Sequence, residues 1–161
     1  MTLKDVINYL ESTASVQPAV HTIVRNDILK LNNASNVIYG VFAWVLGTQQ
    51  VKINDRMATY QLYVYYIDRL AEKVDNTLDI HSFGIQVLNN ILLTLQDVDI
   101  FINDYSIQPF YQRFADECAG VYATINIDVP IDYNCSESYT QSYDYNNDYN
   151  GGHLAEGIKI I

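Results

Sequence analysis

The sequence predicts an α+β domain in which two helices pack on one face of a mostly antiparallel, four-stranded sheet. Three observations predict it. Leu3–Leu10 and Ile80–Leu95 repeat apolar residues at helical spacing. Residues 36–67 and 105–129 read as hairpins, with β-branched and aromatic residues flanking turn signals. Each helix has one apolar stripe, and a four-stranded sheet can bury both on one face.

The elements follow in order. Thr2 can cap a first helix, whose stripe is Leu3, Val6, Ile7 and Leu10 and whose end falls at Ser12–Ser15, before Pro18. Residues 19–31, AVHTIVRNDILKL, hold two short apolar pieces suited to edge strands. Residues 36–46 form one hairpin arm and 51–67 the other. A turn is expected at Gly47-Thr48-Gln49-Gln50, with a break near Asn54-Asp55. The loop 74–79 is rich in capping residues. It leads into a helix whose stripe is Ile80, Phe83, Gly84, Val87, Leu88, Ile91, Leu92 and Leu95. Residues 105–114 form a strand that Pro109 places at an edge or a bulge. Residues 115–120 connect it to a cleanly alternating strand: Val121, Ala123, Ile125, Ile127 and Val129 on one face, polar residues and Tyr122 on the other.

Composition changes at Pro130. Residues 1–130 form the domain, and 131–161 form an acidic, Tyr-rich C-terminal arm or tail. Its tyrosines, Tyr133, Tyr139, Tyr143, Tyr145 and Tyr149, lie among Asn, Asp and Ser, a composition that cannot build a core. The segment reads equally as a plain disordered tail or as an arm that orders on a neighbouring subunit, the latter favoured by the closing apolar GIKII, with carbohydrate or other ligand binding as the third reading.

The stretch YQLYVYYIDRL, residues 60–70, raises a question of coverage. A strand with one wet face is polar at alternate positions. Here Leu62, Val64 and Tyr66 share one face, and Tyr63, Tyr65 and Ile67 make the other apolar as well. Two helices cover one face only. The second therefore points to a partner surface.

Net charge is −10, and the basic residues are scattered. That argues against gripping nucleic acid, which needs clustered Lys and Arg. A negative surface suits a protein that lets DNA pass without sticking, but most acidic proteins are simply soluble, so charge alone does not select that reading. No apolar run is long enough for a transmembrane helix, and MTLKDVINYLE lacks the apolar core of a secretory signal.

Nothing in the sequence assembles a catalytic, cofactor or metal motif. Asp79 beside His81 suits a helix start. Asp68-Arg69 suits a structural ion pair or an inter-subunit contact. Cys118 follows two acids, which raise rather than lower a thiol pKa, so it reads as structural. Gly120 fits a bend or a close backbone approach. Cys118 and Cys135 have no metal spacing and read as reduced thiols, though spacing alone leaves a disulfide between them open.

Three segments together, YVYYIDRL, DNTLDIHSFGIQVLNNIL and IQPFYQRFADECAGVYATINIDVP, resemble a small virion protein of tailed bacteriophages. Similar proteins occur in phages of gut bacteria, including the crAss-like group. The layout is similar to tail-terminator and head–tail joining proteins. The resemblance covers Thr2 to Pro130, and the tail lies outside it. It implies a non-catalytic, cofactor-free ring in the neck or tail, assembled in the host cytoplasm. The ring would join portal-side and tail proteins around a channel through which DNA passes without specific binding.

Subunit contacts are then expected from Tyr63, Tyr65, Ile67 and Arg69 on the second sheet face, and from Tyr139, Tyr143, Tyr145, Ile158 and Ile160 in the arm. Two rivals differ in class. A small intracellular adaptor would use the same face on one protein partner, in a stable 1:1 complex. An enzyme would need a pocket gathering His81 with Asp79 and Asp68, or a bound metal.

Overall fold

The computed structural model describes residues 1–33, 37–52, 55–72, 75–96, 100, 102, 104–113, 116–131 and 158–160. The class is as predicted: α+β, two helices on one face of a single mixed sheet.

Helix α1 spans Leu3–Ser15. Thr2 Oγ1 accepts from the Asp5 amide at 3.3 Å, and the Asp5 carboxylate accepts from the Thr2 amide at 2.7 Å. This capping box satisfies two otherwise unpaired donors and fixes where the helix starts. Val6, Leu10 and Ala14 are its buried stripe.

The strands are β1 Thr22–Arg25, β2 Val41–Lys52, β3 Met57–Arg69, β4 Ile107–Arg113, β5 Glu117–Pro130 and β6 Ile158–Ile160, in the order β4-β5-β3-β2-β1-β6. The four expected strands are β2, β3, β4 and β5, and they pair with one another antiparallel throughout. Two short strands extend the sheet past β2. β1 pairs parallel with β2, and β6 pairs antiparallel with β1.

Two boundaries are corrected. Gly47-Thr48-Gln49-Gln50 is not a turn but part of β2. The register steps from Leu46↔Leu62 to Gln49↔Tyr60, so one extra residue sits on β2 as a bulge. The chain reverses between Lys52 and Met57, at the break expected near Asn54-Asp55. The connection placed at 115–120 is shorter, because Glu117–Gly120 already belong to β5.

Helix α2, Thr77–Gln96, buries Ile80, Gly84, Val87, Leu88, Ile91, Leu92 and Leu95. The expected stripe holds except at Phe83, which is half exposed and meets the Tyr66 ring edge-on with centroids 6.0 Å apart. Under both helices lie Leu62, Val64 and Tyr66 of β3 and the alternating Val121, Ala123, Ile125, Ile127 and Val129 of β5. Arg25 of β1 and Glu11 of α1 form a two-point ion pair, and Trp44 Nε1–H donates to Glu11 at 3.0 Å. This contact ties α1 to the β1–β2 side of the sheet.

Tyr66 is buried, and its hydroxyl lies 3.4 Å from Asp68. Burial, and then the Asp68 charge, push its phenol well above its ordinary value of 10.0. A raised folded value keeps this contribution to stability intact below the unfolded value and loses it as pH climbs towards the folded one. Denaturation followed by circular dichroism should therefore show no tyrosine-linked change up to about pH 10, then a decline. Tyr66→Phe should make that decline shallower, Tyr39 and Tyr65 contributing to the remainder, and an unchanged slope in the variant would rule out Tyr66 as a source.

Candidate functional site

The outer sheet face, opposite the helices, divides into three zones. At the β1 end, Val24, Leu31, Val41, Ala43, Ile67 and Cys118 form a second small core. The 3-10 helix Ile28–Asn32 supplies Leu31 and Ile28, and residues 37–39 add Val37 and Tyr39. Tyr39 donates to Asp116 at 2.9 Å. Desolvation, and then its hydrogen bonds to Cys118 and Asp116, hold its phenol far above the ordinary range. Burial pushes the Cys118 thiol up as well. Cys118 is buried and free, in agreement with a structural thiol.

The middle zone is aromatic. Tyr65 stacks on Tyr122 at 5.7 Å and meets Phe110 edge-on at 6.0 Å, while Phe110 and Tyr122 lie 6.3 Å apart. All three are only half buried, as is Tyr63 beside them on β3. Cross-strand register explains the cluster. Tyr65 stands directly opposite Tyr122, and Phe110 opposite Gly120, which has no side chain to hold the ring off. Desolvation, and then the neighbouring phenols of Tyr63 and Tyr122, raise the Tyr65 pKa. The hydroxyls are turned to polar neighbours: Tyr122 donates to Gln108 at 2.7 Å, and Tyr63 to Gln61 at 3.0 Å. Rings with apolar bodies and satisfied hydroxyls suit a protein contact more than a solvated face.

The third zone, towards the β2–β3 reversal, is polar. Gln61, Asn126 and the hydrogen-bonded pair Thr59–Asp128 line it. On the helix side of that same end, an apolar groove of about 870 Å³ lies between Leu3 of α1, Tyr60 of β3 and Val129 and Ile131. Its lining is mainly apolar, with Thr2, Gln49 and Tyr60 as its polar side chains.

The expected contact residues fall in different places. Tyr63 and Tyr65 lie in the aromatic zone, half exposed. Ile67 does not reach solvent: it is 0% exposed, beneath the 3-10 helix and residues 37–39 of its own chain. The expectation that the second face is uncovered is corrected to that extent. Arg69 pairs with Asp116 at 3.4 Å and more loosely with Glu72 at 3.8 Å, so its ion pair is not with Asp68. Tyr139, Tyr143 and Tyr145 lie outside the described residues. Ile158 and Ile160 are in β6, on the edge of β1. His81 Nε2 lies 3.2 Å from the Phe110 carbonyl. Among the described residues, no three His, Cys, Asp or Glu side chains gather to hold a metal ion.

Phe110 and Tyr122 are the members of the cluster that periodicity did not single out. The signal was present in Gln108-Pro109-Phe110 and Tyr122, two aromatics on the polar phase of their strands. Only the strand register brings them onto Tyr65. No helix among the described residues is long and apolar enough to cross a membrane. No protein-family model matches the chain, and a search of curated proteins finds no similar sequence.

Proposed function

We propose that this chain is a structural virion protein that forms an oligomeric ring in the head–tail connector, neck or tail of a bacteriophage. Its partners are copies of itself and the portal-side and tail proteins it joins, with DNA passing through the channel unbound. In this reading the chain has no catalytic role. The observation that carries it is the aromatic zone: Tyr63, Tyr65, Phe110 and Tyr122 stay half exposed on a face whose flanking zone is fully packed. The resemblance of Thr2 to Pro130 in sequence to tail-terminator proteins and the net charge of −10 support the same reading. Heterologous contacts between one outer face and a different surface of the next copy close into a ring when the rotation allows.

Light scattering with negative-stain microscopy on purified full-length protein tests this. Closed rings of uniform size are expected. Monomers alone at high concentration, or a stable 1:1 complex with one other protein and nothing larger, would overturn it.

A further inference from the structure

The two edges of the sheet are built differently. β4 ends one side and carries Pro109, which has no amide hydrogen to donate. The other side would end at β1, only four residues long, but its edge is taken by β6. Thr22 stands opposite Ile160, Ile23 opposite Lys159 and Val24 opposite Ile158.

β6 is reached from the opposite corner of the sheet. β5 ends at Pro130, opposite Met57, which in turn pairs with Lys52 at the far end of β2. The Ile131 amide then donates to the Arg56 carbonyl at 2.8 Å. β1 instead lies beside Val41–Trp44, at the beginning of β2. Four strand spacings of about 4.8 Å and roughly nine residues of about 3.3 Å rise put the two corners about 35 Å apart. About ten extended residues would bridge that distance, whereas residues 132–157 can reach about 90 Å. The surplus over that straight path is more than half of the segment. It covers the width of a second domain of this size, roughly 30–40 Å.

We infer that the edge of β1 is a strand-acceptor site for Ile158–Ile160 of a neighbouring copy, so that adjacent subunits are joined by exchanged C-terminal strands. The inference rests on the ring reading above. The register in which β6 lies shows that the segment fits this edge. The main-chain hydrogen bonds are the same whichever copy supplies the strand, so exchange costs little. A neighbour held in place by another contact offers its β1 at a concentration comparable to that of the chain's own edge. Each copy donates one strand and accepts one, which is the connectivity of a closed ring.

Two chains, each with one engineered cysteine, test this, both carrying Cys135→Ser and leaving buried Cys118 in place. One carries Thr22→Cys and the other Ile160→Cys, with different tags, and they are co-expressed and mildly oxidised. A disulfide-linked dimer bearing both tags should appear on a denaturing gel. The same pairing in one chain, Thr22→Cys with Ile160→Cys, should give linked multimers. An intrachain disulfide alone would overturn strand exchange. Light scattering on the same samples separates the failures. Assembled particles with only intrachain disulfides overturn the exchange and leave the ring. Monomers throughout overturn both. Val24→Cys with Ile158→Cys gives a second opposed pair if Thr22→Cys lowers the folded signal.

Discussion

Gly120→Ala is expected to destabilise the domain by about 3 kcal/mol, the upper part of the range for overpacking a filled core. For a chain of this length that lowers Tm by roughly 6–12 °C. A Cβ at Gly120 would lie 2.2 Å from the Tyr66 carbonyl oxygen and 2.9 Å from the Phe110 ring. The oxygen belongs to the backbone of β3, held on both sides by β2 and β5, so it cannot move aside. Gly84→Ala is the informative contrast. Its Cβ would meet Val121 Cγ2 at 2.8 Å and the Tyr66 ring at 2.9 Å, and both are side-chain atoms that can shift. Alanine in a helix interior also gains about 1 kcal/mol over glycine, which offsets part of the crowding. Thermal unfolding of the two variants should rank Gly120→Ala well below Gly84→Ala. Equal losses would mean that the β5 backbone relaxes to accept the methyl group.

Those two glycines also mark where the sequence was legible and where it was not. Gly120 could be read as a close approach because it follows a connection and opens a clean alternation. What it approaches, Tyr66 and Phe110, depends on register across three strands, which no local pattern encodes. Both helices were legible because their stripes run over several turns and Thr2 has Asp5 three residues on. β2 misled in one place. Gly47-Thr48 has turn chemistry, but a bulge uses the same residue types, and the reversal came at Lys52–Met57. β1 reads in sequence as a short edge strand but lies between β2 and β6, since four residues give too little alternation to place it and a parallel partner leaves no hairpin signal.

The second sheet face shows the same limit. Its apolar character is visible in Tyr63, Tyr65 and Ile67, which in sequence point to a partner surface as the cover. Part of that cover is intramolecular: the 3-10 helix Ile28–Asn32 and residues 37–39 bury Ile67. A five-residue helix has no period to read, so its contribution appears only when β1 places it over the sheet. The aromatic zone is what remains after that cover is laid down.

The double variant Tyr63→Ser, Tyr122→Ser is expected to leave the domain folded and to abolish assembly at concentrations where the wild-type chain is assembled. Buried tyrosines at interfaces commonly contribute about 2 kcal/mol each, so losing two weakens each subunit contact by roughly a thousandfold. A ring needs every contact at once, which makes the loss steeper for the closed species than for a pair. The fold should bear the change more easily. Both rings are half exposed, and removing Tyr122 gives up its stacking on Tyr65, a loss of about 1 kcal/mol. Tyr111→Ser supplies the control. Tyr111 is an exposed tyrosine on the neighbouring edge strand, but its register puts it on the helix side of the sheet. It should assemble as the wild-type chain does. Sedimentation across a concentration series reads all three proteins together. If the double variant assembles at the wild-type midpoint, the aromatic zone is not the subunit contact and the ring reading loses its main support. If Tyr111→Ser disassembles as well, the contact lies at the β4 edge rather than on the outer face.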